Sequence, residues 1–309
     1  MRVNLRWTPV RISIDAIRAA AVLALLVTAG KVEAGRAIPD DNLGYPVLVT
    51  LKSGAGGSGF FVNGRTSMYF VTAKHVLIDS AKEKAPLLAE EADLISYSKD
   101  PRDATQNHVT LNLKTLDAAG EVKRHPFRDV VVVRLANLAP SKAGIEVRPL
   151  VGVTINHSAP SGFLGVSLDS LTRFDDVLVS NEVFVSGYPT SLGLKAIPQL
   201  DFMRPLLRKG IVAGLNVAQK TIVLDCPVYP GNSGGPVLET DEESLGARRF
   251  RVIGVVSEFV PSVETWVNVA HNYSNVTILN SGYSIATPID FVIELLGADA
   301  QQPVSEPKR

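Results

Sequence analysis

Residues 230–236 read Pro230-Gly231-Asn232-Ser233-Gly234-Gly235-Pro236, and the heptad PGNSGGP is the strongest local signal in the chain. A serine hydroxyl is a poor nucleophile unless a constrained turn exposes it beside a base, with backbone N–H groups aimed at the charge that develops on attack. Glycine on either side of Ser233 permits such a turn and leaves room for an approaching chain. Read by itself, a G-x-S-x-G match is a surface turn. Here the apolar pair Val237-Leu238 follows at once and reads as the start of a strand.

Working outward, short apolar segments bounded by turn residues recur on both sides: Tyr45–Leu51, Gly59–Val62, Met68–Thr72, Val130–Leu135, Val177–Ser186, Thr221–Leu224, Phe250–Val256 and Thr277–Ile278. Most are rich in Val and Ile and read as strands, at spacings that suit a sandwich or barrel rather than alternating βαβ units. With 24 glycines, 19 prolines and only 6% aromatic residues, the composition also favours strands and turns over long helices. One helix is expected, at the C-terminus, with Thr287 as cap, Pro288 in its first position, an apolar face through Ile289, Val292, Ile293 and Leu296, and Gly297 as its stop. Glu83–Asp93 and Asp100–His108 read as loops.

Two further segments carry chemistry. Tyr69-Phe70-Val71-Thr72-Ala73-Lys74-His75-Val76 follows Gly57-Ser58-Gly59-Phe60-Phe61-Val62, so that a hairpin delivers His75 at a strand's end, where a near-neutral imidazole can accept a proton from serine. His108, His125, His157 and His271 lack such flanking order and read as structural or exposed. Asp129 opens the run Val130-Val131-Val132-Val133, and a carboxylate at the mouth of an apolar strand needs a partner such as histidine Nδ1–H. Asp103 and Asp117 compete with it but open no comparable strand.

These three blocks, TAKH at Thr72–His75, DVVVVRL at Asp129–Leu135 and GNSGGP at Gly231–Pro236, resemble the signature blocks of trypsin-like serine proteases in the family's order of His, Asp, Ser. The stretch Asp225-Cys226-Pro227-Val228-Tyr229-Pro230 resembles the bacterial HtrA-type and glutamyl-endopeptidase-like members. The resemblance spans roughly Gly44 to Leu296 and is specific only in these blocks. It implies an all-β chymotrypsin-like fold of two six-stranded antiparallel barrels with a C-terminal α-helix. The first would occupy residues 44–150 and the second, with the helix, residues 151–297.

The resemblance also implies roles: His75, Asp129 and Ser233 as catalytic triad, the Gly231 and Ser233 amides as oxyanion hole, Ser257 as triad support and start of a substrate-binding edge, and Gly282 and Ser284 as wall of the specificity pocket. Departures from the family are equally specific. Asn232 stands where zymogen-type members carry an aspartate, so activation by an ion pair with a new N-terminus is not expected. Glu258 and Phe259 crowd the edge after Ser257, and Pro227 replaces any carboxylate at the pocket base, which points to small or medium apolar side chains in substrates. The resemblance is to members without the PDZ domain that HtrA-type enzymes append, and none is expected after the C-terminal helix.

The expected activity is serine endopeptidase on polypeptide substrates, with no cofactor and no metal. A catalytically degenerate domain of the same fold that binds peptides or proteins is the alternative, favoured by the crowded edge. An α/β-hydrolase elbow needs a helix directly after the serine, and Gly234-Gly235-Pro236 is among the worst helix starts available.

Lys and Arg total 31 and so do Asp and Glu, which gives no basic field for nucleic acid or anionic lipid. Cys226 is the single cysteine, which excludes an intramolecular disulfide but not an oxidising compartment. Arg2, Arg6, Arg11 and Arg18 precede the apolar run Ala19–Gly30, shorter than the roughly 20 residues of a spanning helix, and Val32-Glu33-Ala34 follows with small residues. Residues 1–34 are thus expected to be a signal peptide that sends the chain to the periplasm or exterior without stable membrane insertion, an uncleaved anchor being the alternative. Residues 301–309 read as a polar tail.

Overall fold

A computed structural model describes residues 40–82, 85–98, 100, 103–141, 144–159, 162–189, 197–242 and 248–300; the expected signal segment and C-terminal tail lie outside them. The fold is all-β, as the sequence leads one to expect: two curled sheets with separate cores and a short C-terminal helix.

The first sheet has ten strands. Its central path is β6 (Val122–Arg124), β7 (Val131–Ser141), β3 (Ser67–Thr72), β2 (Gly56–Asn63), β1 (Pro46–Leu51), β4 (Glu91–Tyr97), β5 (Gln106–Asn112) and β9 (Val153–His157). β8 (Gly144–Pro149) pairs with β7, and β10 (Gly165–Ser167) runs parallel to β2. The core behind it is built from alternate inward residues, among them Val47, Val49, Phe61, Phe70, Leu94 and Val131. Each such side chain contributes roughly 1.5–3 kcal/mol when fully buried. Gly59 allows the β2–β3 contact to close, because a Cβ there would fall on the Phe70 ring.

The second sheet closes into a six-stranded barrel in the order β11 (Glu182–Gly187), β12 (Leu206–Asn216), β13 (Thr221–Asp225), β16 (Tyr273–Pro288), β15 (Arg248–Asn268) and β14 (Pro236–Glu242). Val183, Val185, Val212, Ile222, Leu224 and Val237 fill it. β9 and β10 belong to the first sheet, so the chain changes sheets between Ser167 and Glu182, later than the boundary expected at residue 150.

Several local expectations change. Part of each stretch read as a loop is strand, because Glu91–Asp93 and Gln106–His108 pair within β4 and β5. The strand expected from Val177 begins only at Glu182, since a 3-10 turn occupies Phe174–Asp176 and Ser180 has φ +78°. The C-terminal helix, α3 (Asp290–Leu296), starts later than expected, because Thr287 and Pro288 are still held extended opposite Val255 and Gly254. Helices α1 (Lys74–Leu77) and α2 (Leu113–Ala118) complete the list of α-helices among the described residues.

Helix α3 follows the second barrel in sequence yet ties back to the first sheet. Lys123 Nζ donates to the Leu295 carbonyl at 3.1 Å, and the Phe291 ring lies 4.9 Å from that of His125. Beyond the helix, Thr66 donates to Asp299 Oδ1 from both its N–H (2.8 Å) and its hydroxyl (2.7 Å). These ties hold the two halves in one relationship, which matters because the candidate site draws residues from both.

Candidate active site

His75 sits on α1, directly after β3, where buried Ala73 and Leu77 anchor the turn and leave the imidazole half-exposed. Asp129 comes from the bend that leads into β7. Its carboxylate takes the His75 ring at Nδ1 (2.7 Å, to Oδ2) and the His75 main-chain N–H (3.0 Å, to Oδ1). The carboxylate only accepts, so Nδ1 carries the proton and Nε2 keeps its lone pair. This hydrogen bond raises the His75 pKa above its ordinary value; partial burial opposes the shift, and the charges of Asp129 and Glu258 add to it.

The competing aspartates are engaged elsewhere. Asp117 forms a two-point pair with Arg124 (2.7 and 2.9 Å), and Asp103 accepts from the main chain and hydroxyl of Thr105. His125, which reads as merely structural in the sequence, has a positioning part. Its Nδ1 accepts from the N–H groups of Phe127 (3.2 Å) and Arg128 (2.9 Å), fixing the bend that presents Asp129, and its carbonyl accepts from Lys74 Nζ (3.1 Å). Nothing in the flanking sequence marked it.

The PGNSGGP turn precedes β14. Gly231 has φ +96° and Gly234 φ +88°, conformations that L side chains rarely adopt. Asn232 is buried and braces the turn from within: its N–H donates to the Tyr229 carbonyl (2.9 Å) and its Oδ1 accepts from the Tyr229 N–H (3.0 Å). The position where family members of the zymogen type carry aspartate is thus occupied by a group that needs no charged partner.

Gly234 donates to the Val256 carbonyl (2.7 Å), and Ser58 donates to the Ser233 carbonyl (2.8 Å). The Ser58 hydroxyl, fully buried, donates to the Gly231 carbonyl (2.6 Å) and accepts from the Tyr188 N–H (2.8 Å). One side chain of the first sheet therefore orients the Gly231 peptide, a part the sequence signalled only through the Gly-Ser-Gly context. Among the described residues, neither the Gly231 N–H nor the Ser233 N–H donates a backbone hydrogen bond, and the Ser233 hydroxyl has no partner.

His75, Asp129, Ser233, Ser257, Glu258 and Phe259 line one cleft of about 700 Å³. Val228 and Ile285 also line it, alongside the polar or charged Lys74, Arg128, Lys220 and Tyr229. The Ser257 hydroxyl bonds that of Thr287 at 2.6 Å. Gly282 and Ser284 are not brought to the cleft: Ser284 is buried and donates to the Cys226 carbonyl (2.8 Å) inside the barrel wall. Among the described residues no three His, Cys, Asp or Glu side chains are grouped to hold a metal ion, and no helix is long and apolar enough to cross a membrane.

No curated protein matches the chain. Among solved structures, one described as an HtrA-type protease AlgW with tripeptide is similar at 15% identity and a TM-score of 0.43, over 83% of this chain and 60% of that chain. This chain thus spans less than two thirds of that structure. The trypsin-like peptidase domain family matches residues 57–246, a segment that runs from the start of the His75 block to beyond Ser233. By that match the chain belongs to the trypsin-like peptidase domain family, a family of serine-protease-type hydrolases.

Proposed function

We propose that the protein is a serine endopeptidase that cleaves polypeptides through an acyl-enzyme. Ser233 Oγ attacks the carbonyl, His75 Nε2 takes its proton and returns it to the leaving amine, and Asp129 holds the imidazole and stabilises its charged form. The Gly231 and Ser233 amides stabilise the oxyanion. The observation that carries this reading is the two-point hold of Asp129 on His75 in the cleft that Ser233 also lines. Val228 and Ile285 on the cleft wall support small or medium apolar side chains at the cleavage site. Export to the periplasm or exterior is supported by the arginine-flanked apolar run ahead of residue 34.

A second reading, a binding domain that does not cut, is favoured by one observation: the Ser233 hydroxyl makes no hydrogen bond to His75. Catalytic hydrogen bonds are often long before substrate binds, which leaves the peptidase reading ahead. Hydrolysis of casein separates the two. The peptidase reading expects turnover that falls by several orders of magnitude in Ser233→Ala and in His75→Ala, with both variants folded. Equal residual hydrolysis in all three proteins, or none in the parent, supports the binding domain.

A further inference from the structure

β15 and β16 do not end with the barrel. β14 covers the outer edge of β15 only as far as Val255, and Val256 closes against Gly234 and Gly235. From Ser257 to Asn268, β15 has β16 on one side and, among the described residues, no strand on the other. The two strands stay paired from Pro261↔Asn280 to Asn268↔Tyr273, an arm about 25 Å long at the usual rise per residue.

The root of the arm is fixed at the cleft. Asn280 Nδ2 donates to the carbonyl of the cleft residue Val228 (2.6 Å), and the Ser281 hydroxyl donates to the Val260 carbonyl (2.6 Å). At its tip Asn268 caps the turn by accepting from the His271 N–H (3.1 Å), and Asn272 takes the left-handed conformation with φ +48°.

Opposed residues share a face of a ribbon, and successive residues alternate. The register therefore gathers Val263, Ile278, Thr265, Val276, Val267 and Ser274 on one face, with no charge among them. Ser262, Leu279, the Glu264–Thr277 pair, Trp266, Asn275, Asn268 and Tyr273 fall on the other. Val263 is 59% exposed, Ile278 64% and Val267 66%. A two-stranded ribbon is at best marginal in water, and an uncharged, largely apolar face beside an open strand edge is a surface on which another chain can lie.

We infer that this arm is an exosite for the substrate polypeptide, which runs out of the cleft as an extended, uncharged and apolar segment and lies along β15. The inference rests on the peptidase reading for its meaning, though not for its measurement. Continuity favours this occupant, since the open edge begins at Ser257–Phe259, residues that line the cleft. Area disfavours a second copy held by arm faces alone. One ribbon face of this length offers about 300 Å², so two would bury about 600 Å² against the roughly 1,200–2,000 Å² of stable interfaces.

The test uses the full chain carrying Ser233→Ala, with reduced, carboxymethylated α-lactalbumin as a permanently unfolded probe. Binding is read by anisotropy of the labelled probe. V263S/I278S should weaken binding about tenfold or more, because two half-exposed apolar side chains lose the burial that the bound chain would give them. In the otherwise unmodified protein the same pair should leave kcat/KM on a tripeptide nitroanilide unchanged. Unaltered binding of the unfolded probe overturns the inference. So does a loss of dimer on V263S/I278S in sedimentation, which would assign the face to a second copy. A parent protein that binds the probe through the arm but cuts nothing removes the peptidase reading while leaving the exosite standing. A replacement of Ser262–Leu279 by a two-residue Asn-Gly turn provides the stronger variant, and its circular dichroism shows whether the barrel survives.

Discussion

The carboxylate of Asp129 grips His75 at two points, the ring at Nδ1 (2.7 Å) and the main chain at N (3.0 Å). The first contact sets the tautomer, and the second fixes where the α1 turn sits relative to β7. An amide in place of the carboxylate keeps the shape but presents an N–H to one of two donors. Asp129→Asn is therefore expected to lower kcat by about 10⁴-fold while the far-ultraviolet circular dichroism stays that of the parent. A loss below tenfold would remove Asp129 from the mechanism.

Glu258 adds to the rise in the His75 pKa, after the Asp129 hydrogen bond and the Asp129 charge. The general base must be neutral, so activity rises as pH passes upward through this pKa, which lies above the ordinary 6.5. Removing the Glu258 charge lowers it. The acid limb of kcat/KM against pH in Glu258→Gln should move to lower pH, and an unmoved limb would show that Glu258 does not act on His75. The same shift has a consequence for stability: the His75–Asp129 contribution is full below the unfolded pKa and fades as pH rises through the folded one.

Ser58 joins the two halves at the site. Ser58→Ala leaves the Gly231 carbonyl and the Tyr188 N–H without their partner, at a cost of about 1–3 kcal/mol each. Urea unfolding should show that loss, and kcat should fall more than KM rises because the turn that carries the Gly231 and Ser233 N–H groups loses a brace at the intervening Gly231–Asn232 peptide. A variant as stable as the parent would contradict the bracing role.

Gly234 tests the turn itself. With φ +88°, an added Cβ would fall on the Ser58 carbonyl and the Thr72 hydroxyl. Gly234→Ala should destabilise by about 4 kcal/mol or more, read as a lowered urea midpoint; a change under about 1 kcal/mol would mean that the turn has another conformation.

The Ser233 turn was legible because its backbone takes positive φ at Gly231 and Gly234, and the family order of the three blocks singled out His75 and Asp129, which line the same cleft. Strands with fully buried runs, such as Ser67–Thr72 and the start of β7, were legible for the same kind of reason. Other features depend on distant partners. Thr287 looked like a helix cap because the cap chemistry is local, whereas its pairing with Val255 and its bond to Ser257 are not. β8 is exposed along its length, and its alternation of Ile145-Glu146-Val147-Arg148 is too short to stand out without a core behind it. His125 acts through its ring on two main-chain N–H groups, which leaves no spacing signature. Of the arm, the sequence offered only the short apolar stretch Thr277–Ile278, and only the register between β15 and β16 shows that Val276 and Ile278 share a face with Val263.

A fluorophosphonate probe tests the central claim most directly, because it reacts only with a serine whose hydroxyl is activated beside an oxyanion site. Intact-mass and peptide mass spectrometry of the folded protein should find one adduct, on Ser233, absent in Ser233→Ala and formed far more slowly in His75→Ala. Well-folded protein that acquires no adduct at Ser233 would contradict the account.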